Sequence, residues 1–340
     1  METPTVLTQL PDKADRRFYS KHELQEYFTR INLPEKYRDS PVLSDANLAK
    51  TKEHGLPLLE ALCRQHTCNV PFENLILHYS AGRKVTLDPF ELYDWFVKKR
   101  RGGRCMENNT FFATVLRSIG YRVRNCGGRV SRAMSPYPEV RKTQAHTYDG
   151  LNHMLNLVHF DDEWFVVDVG MGAMGPNMPY PLRDGFEAIS IPPRKIRLQR
   201  RAISESYAGE EEAPKLWCYD VCHDPTHGAE NKWVPTYCFT EHEFLPQDYE
   251  VMSWFTSTHG NSFFTRHVTA TRMISDPHQE MIVGSVTLFE RAVREQRGSE
   301  RRLVKECETE DERIQMLAEF FGIDLTEEEA RSISLDAMLA

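Results

Sequence analysis

The chain has 340 residues, with 42 Lys and Arg against 50 Asp and Glu for a net charge of −8. That balance gives a nucleic-acid partner no electrostatic support, and no apolar run approaches the ~20 residues needed to span a bilayer. Hydrophobic residues at 40% and charged residues at 27% are an ordinary globular mixture, and the length suits two or three lobes.

Residues 1–17 alternate polar and charged residues, without the apolar core of a signal peptide. Eight irregularly spaced cysteines do not make the pattern of a secreted disulfide framework. The expectation is a cytoplasmic protein with reduced thiols and neither a membrane nor a nucleic-acid partner.

From residue 20 to 99 the pattern is mainly helical. Ser20 and Glu23 form a capping box, followed by Leu24, Tyr27, Phe28 and Ile31 on one face. Residues 47–66 repeat the pattern with Leu48, Leu58, Leu59 and Leu62. Pro71 interrupts it, and Asp88-Pro89 opens another helix with a cap residue and proline at the first helical position.

That helix delivers the chain to Arg100-Arg-Gly-Gly-Arg-Cys-Met-Glu-Asn-Asn109. Phe111, Val115 and Ile119, with Phe112 and Leu116, keep helical spacing after Cys105, and Gly120 supplies the stop. A thiol at a helix start meets unpaired N–H groups and the positive end of the macrodipole, which favour thiolate. Gly102 and Gly103 permit close backbone approach, and Arg101 and Arg104 are expected to add positive field.

After Gly120 the period changes to that of strands, over 123–130, 152–160 and 163–169. Residues 131–150 read as a long polar loop and 170–193 as irregular. Residues 194–201 read as a basic solvated strand, and 205–214 as an acidic linker. Strands are expected at 217–226, 237–239, 267–273 and 280–291, the last two joined by a turn at Asp276-Pro277. A helix is expected at 248–255 and a helical tail over 306–339.

A two-residue turn at Asp161-Asp162 pairs Phe160 with Glu163. His153 and Asp168 then share one face as diagonal neighbours, typically ~7–8 Å apart at Cα. A carboxylate inside the apolar run Trp164-Phe-Val-Val-Asp-Val169 is costly unless paired, and an imidazole N–H supplies the partner. With Cys105 this makes a nucleophile–base–orienter set of Cys, His and Asp.

Four segments carry a resemblance: the Cys105 loop, Val70-Pro-Phe-Glu-Asn-Leu75, Leu151-Asn-His-Met-Leu-Asn-Leu157 and Phe165-Val-Val-Asp-Val-Gly-Met-Gly172. In this order they resemble arylamine N-acetyltransferases, in the version seen in fungi. Phe255-Thr-Ser-Thr-His-Gly-Asn-Ser-Phe263 is similar to that family's segment along the acyl-donor cleft.

The resemblance implies a multidomain α+β fold: a helical domain (1–119), a β-barrel-like domain (120–240) and an α/β lid (241–340). It implies ping-pong transfer of an acyl group from acyl-CoA to an arylamine, hydrazine or hydroxylamine, in xenobiotic detoxification, without a permanently bound cofactor or metal. Carried over, Cys105 is the nucleophile, His153 the base and Asp168 its orienter. Arg101 is expected to pair with Glu73. Gly127, Gly128, Gly150, Ser262 and Asn109 match family positions toward the acyl donor and substrate.

Acetyl is the family default, with malonyl or propionyl used by some fungal relatives; Arg104 and Arg129 are the cations suited to a malonyl carboxylate. The proline-bearing insert 131–148 and the segment 175–215 depart from the family pattern.

Two alternatives use the same residues differently. A thiol hydrolase shares the Cys-His-Asp set, but the papain-type Cys-Gly-Ser/Ala-Cys-aromatic run is absent. Cys218, Cys222, His223 and His227 offer a zinc-like spacing, although their alternation along a strand favours a structural role.

Overall fold

The helix-start signals are realised in the computed structural model, which describes residues 18–223, 233–334 and 337–339. Ser20 Oγ accepts the Glu23 N–H and the Glu23 carboxylate accepts the Ser20 N–H, opening α1 (Lys21–Arg30); such a cap contributes ~1 kcal/mol. After α2 (Glu35–Arg38) comes α3 (Lys52–Asn69), then a two-residue strand β1 (Phe72–Glu73).

Asp88 accepts the N–H groups of Phe90 and Glu91 and starts α4 (Pro89–Tyr93), which continues as a π-turn through Lys98. The helix α5 (Cys105–Ile119) ends at Gly120 in a left-handed conformation, φ +116. Phe96 and Phe111 stack with ring centroids 4.8 Å apart, inside a core that also buries Tyr27, Phe28, Leu62 and Phe112.

Among the described residues an eight-stranded antiparallel sheet follows, nearly closed into a barrel. In chain order its strands are β2 (Arg122–Val130), β3 (His153–Phe160), β4 (Glu163–Val167), β5 (Tyr180–Pro181), β6 (Phe186–Ile189), β7 (Lys195–Arg201), β8 (Leu216–Cys222) and β9 (Val234–Glu243). Their spatial order is β5-β4-β3-β2-β9-β8-β7-β6. The β3–β4 hairpin has the expected register, Phe160 opposite Glu163 and Asn156 opposite Val167, around Asp161 at φ +48.

Three stretches are more regular than their composition suggests. The polar loop 131–150 contains α6 (Pro138–Gln144), begun by a proline that fits the first helical position. The irregular stretch 170–193 supplies β5 and β6, and the acidic stretch holds α7 (Gly209–Glu212). The strand expected over 217–226 is β8, and residues 224–226 lie outside the described residues.

The chain then forms α8 (Pro246–Thr258) and α9 (Phe263–Arg266). A second antiparallel sheet pairs β10 (Thr269–Ser275), β11 (Ile282–Phe289), β12 (Ala292–Arg297) and β13 (Glu300–Glu306). The last two strands are weakly marked in sequence because Arg294, Arg297, Arg301 and Arg302 dilute the apolar alternation. Its other edge is β1, with Glu73 opposite Ala270, so the Pro-Phe-Glu-Asn segment is held by the C-terminal sheet. Leu317 and Phe321 of α10 (Glu310–Phe321) share a core with Val286 and Leu288, and α11 (Glu327–Arg331) follows behind a Thr326–Glu329 capping box. No described helix is long and apolar enough to cross a membrane.

Gly120 combines its left-handed φ with tight space, since an added Cβ would lie 2.6 Å from the Ala46 Cβ. Gly120→Ala is expected to lose roughly 1–2 kcal/mol of stability. Urea unfolding checks this, and an unchanged midpoint would contradict it.

Candidate active site

The loop before α5 is shaped by glycine. A Cβ on Gly102 would lie 1.9 Å from the Pro71 carbonyl oxygen, and one on Gly103 2.8 Å from the Glu107 Cβ. The Glu73 N–H donates to the Gly103 carbonyl at 3.0 Å and Trp95 Nε1 to the Gly102 carbonyl at 3.0 Å. Arg104 is extended at the N-cap with no side-chain cap, so first-turn N–H groups remain to face an incoming oxygen.

Cys105 therefore opens α5, 6% exposed, its sulfur 3.8 Å from the Asn152 carbonyl oxygen just ahead of β3. His153, the first residue of β3, lies opposite Gly128 of β2. Its Nε2 meets Asp168 Oδ2 at 2.8 Å, and the ring also interacts with the Cys105 sulfur. The imidazole thus meets its carboxylate directly, with the Tyr237 ring 4.9 Å away.

Burial alone would push the His153 ring down. The Asp168 charge and hydrogen bond, with smaller contributions from Cys105, outweigh it and raise the imidazole to about 10.

Asp168 is anchored on its other oxygen: Oδ1 accepts Asn109 Nδ2 at 2.9 Å and the Gly170 N–H at 2.8 Å. Asn109 also donates to the Met154 carbonyl and accepts from the Val169 N–H, locking α5 to β3 and to the end of β4. It is fully buried. Its expected place beside a bound acyl donor is therefore corrected: Asn109 supports the carboxylate from behind.

Gly170 has a role the sequence reading did not assign. A Cβ there would lie 2.6 Å from both Cys105 Cα and Asn109 Nδ2, so only glycine lets this turn press against α5. Asn108 also shapes the loop. It donates to the Gly103 carbonyl at 2.5 Å and contacts His66 Nε2 at 3.0 Å, tying the loop to the helical core.

The expected Arg101–Glu73 ion pair is replaced. Glu73 Oε1 accepts the Gly102 N–H at 3.1 Å and Oε2 accepts the Leu75 N–H at 2.5 Å. Arg101 Nη2 instead meets Glu329 Oε2 at 2.5 Å. Burial raises the Glu73 carboxyl to about 7, against the opposing pull of the Leu75 N–H, the Arg101 charge and the Gly102 N–H.

Nor do the two arginines act as free positive field, since Arg104 has its own carboxylate, Glu107, at 3.1 Å. Its remaining nitrogens reach Thr256 and Ser253 of α8, each at 3.2 Å.

Gly127 and Gly128, expected toward the acyl donor, lie inside β2. A Cβ at Gly127 would strike the Phe244 ring at 2.1 Å, so close packing explains that glycine. Gly150 is exposed, with nothing within 4 Å of an added Cβ. Ser262 caps α9 and donates to the Thr256 carbonyl. Among the described residues no group of three or more His, Cys, Asp or Glu is placed to hold a metal; His227 lies outside the described residues.

Comparison with known proteins identifies the family. Residues 55–330 match the profile of an N-acetyltransferase family. The chain is 61% identical over 343 residues to N-malonyltransferase FDB2 of Gibberella moniliformis, covering 100% of this chain and 99% of that protein. A second N-malonyltransferase FDB2, from Fusarium pseudograminearum, is 62% identical over 339 residues, covering 99% and 98%. The structure of Mycobacterium marinum arylamine N-acetyltransferase in complex with CoA superposes with a TM-score of 0.69 at 26% identity, covering 93% of this chain and 100% of that one. The chain belongs to the arylamine N-acetyltransferase family and is an acyltransferase.

The raised His153 sets a pH signature. Its folded-state value of about 10 lies above the ordinary 6.5. The contribution to stability is therefore fully present below 6.5 and fades as pH rises through 10. In Asp168→Asn that part of the decline between pH 6.5 and 10 should shrink; parallel curves of urea midpoint against pH for the two proteins would contradict it.

Proposed function

We propose that the protein transfers an acyl group from acyl-CoA to an arylamine-type nitrogen through an acyl-Cys105 intermediate, with malonyl-CoA as the preferred donor. The observation that carries the reading is the buried His153, bonded to Asp168 and interacting with the sulfur at the start of α5. At neutral pH an imidazole raised to about 10 is protonated, the form that favours sulfur attacking as an anion.

In the first half-reaction the thiolate attacks the thioester carbonyl. The C–S bond to CoA breaks, and CoA leaves as its thiol with the proton from His153. First-turn N–H groups of α5 face the developing oxyanion, where one such donor is typically worth ~3 kcal/mol. In the second, the amine nitrogen attacks the acyl-Cys105, neutral His153 takes its proton, and the sulfur leaves as thiolate, restoring the ion pair.

For the acceptor, Phe72 and Phe264 lie with ring centroids 6.0 Å apart, and the Arg104 guanidinium lies 5.5 Å from the Phe264 ring. Aromatic surface of this kind, next to the residue that precedes Cys105, suits stacking by an arylamine ring.

The donor assignment is supported by relatives named N-malonyltransferase at 61–62% identity over nearly the full chain. Of the two cations suited to a malonyl carboxylate, Arg104 is committed to Glu107, Ser253 and Thr256. Arg129 is half-buried, with one long hydrogen bond of 3.3 Å to the Asp149 carbonyl, and is the better candidate.

Incubating the protein with malonyl-CoA alone should add one malonyl mass to the peptide holding Cys105, and Cys105→Ala should lose both that adduct and amine acylation while keeping its fold. Turnover by the alanine variant would sink the mechanism. Arg129→Met should lower the kcat/KM ratio of malonyl- over acetyl-CoA about tenfold, in line with one charge-assisted contact of ~1.5 kcal/mol. An unchanged ratio would remove Arg129 from donor selection.

A further inference from the structure

The nucleophile loop is gripped from two directions. Glu73 holds the Gly102 N–H and the Gly103 N–H donates to the Pro71 carbonyl at 3.3 Å, both contacts from the Pro-Phe-Glu-Asn side. The other grip comes from the far end of the chain. Arg101, 5% exposed, sends Nη2 to Glu329 of α11 while its backbone N–H bonds the Trp95 carbonyl and its guanidinium lies 6.0 Å from the Trp95 ring. With both Glu73 oxygens taken by backbone N–H groups, the buried cation finds its hydrogen-bonded carboxylate in Glu329.

The Glu329 carboxylate is itself aimed. The same Oε2 accepts the Thr326 N–H at 2.8 Å, and Thr326 Oγ1 accepts the Glu329 N–H at 3.2 Å, so the capping box fixes the side chain that reaches Arg101. The segment carrying it is nailed down at both ends. Ile323 and Ile333 are buried in the C-terminal core. Fully buried Arg313 donates to the Ala337 carbonyl at 2.8 Å, and Glu310 accepts the Leu339 N–H at 3.2 Å. Tyr79, just beyond the Pro-Phe-Glu-Asn segment, donates to Glu310 at 2.5 Å.

We infer that Glu329 is a positioning residue for catalysis: through Arg101, the C-terminal capping helix sets where the Gly102–Gly103 loop presents Cys105. This rests on the reading of Cys105 as nucleophile. A loop containing two adjacent glycines has little stiffness of its own, and small displacements of a reacting group are costly in rate. The ion pair acts on geometry rather than on substrate binding, so its loss should appear in kcat and in the reactivity of the sulfur, not in KM.

Glu329→Gln keeps an acceptor for the Thr326 N–H and removes the charge. In the full chain it should lower kcat about tenfold, slow Cys105 alkylation by iodoacetamide in parallel, and leave KM for malonyl-CoA within about twofold. Thr326→Ala, which loosens the aim and keeps the charge, should give a smaller fall of the same kind. Glu328→Gln, an exposed carboxylate on the same helix, should leave kcat at the wild-type value.

Wild-type kcat and alkylation rate in Glu329→Gln would overturn the inference, as would an equal loss in Glu328→Gln or a loss confined to KM. If Glu329→Gln unfolds, Thr326→Ala decides by the same readouts. Failure of the nucleophile reading is separate, because Cys105→Ala would then retain transfer whatever Glu329 does.

Discussion

The contact between His153 and Asp168 is the constraint to which the surrounding structure is fitted. Both side chains are buried, and a buried pair of this kind persists only when its remaining hydrogen-bonding capacity is satisfied. Asn109 and the Gly170 N–H do this for Asp168 from the far side. Because Asn109 belongs to α5 and lies one turn beyond Cys105, the residue that satisfies the carboxylate also fixes the distance between helix tip and sheet. Support for the pair and placement of the sulfur are one network.

The same economy explains the glycines. At 102, 103, 127 and 170 a methyl group would enter occupied space, against backbone at 102 and 170 and against the Glu107 and Phe244 side chains at 103 and 127. The loop before Cys105 gains its rigidity from neighbours: Glu73 on one side, Asn108 and His66 beneath, Arg101 with Glu329 on the other. Arg104 extends the arrangement to Ser253 and Thr256, so α8 and α5 are coupled through a residue adjacent to the Cys105 sulfur. Helices, barrel and C-terminal sheet each contribute a contact, which makes the site a property of the whole chain.

The local architecture was largely legible in the sequence. Capping boxes at Ser20 and Thr326, the Asp88-Pro89 start and the Gly120 stop are short-range signals, and each is realised within four residues of where it is written. The β3–β4 register followed from a two-residue turn and a period of two, which is enough to place His153 and Asp168 on one face. β12 and β13 were not legible, because charged residues interrupt both strands and leave too little apolar alternation to read.

By itself, then, the sequence determined the helix ends and the hairpin register that puts His153 and Asp168 on one face, since these depend on spacing along the chain. Only the tertiary structure decided the partners. Arg101 joins Glu329, more than two hundred residues away, because backbone N–H groups claim Glu73. Asn109 faces the aspartate, and Gly170 makes room for a helix. Which of several compatible charges and amides meet is settled by long-range packing of distant segments, and spacing along the chain carries no record of that competition.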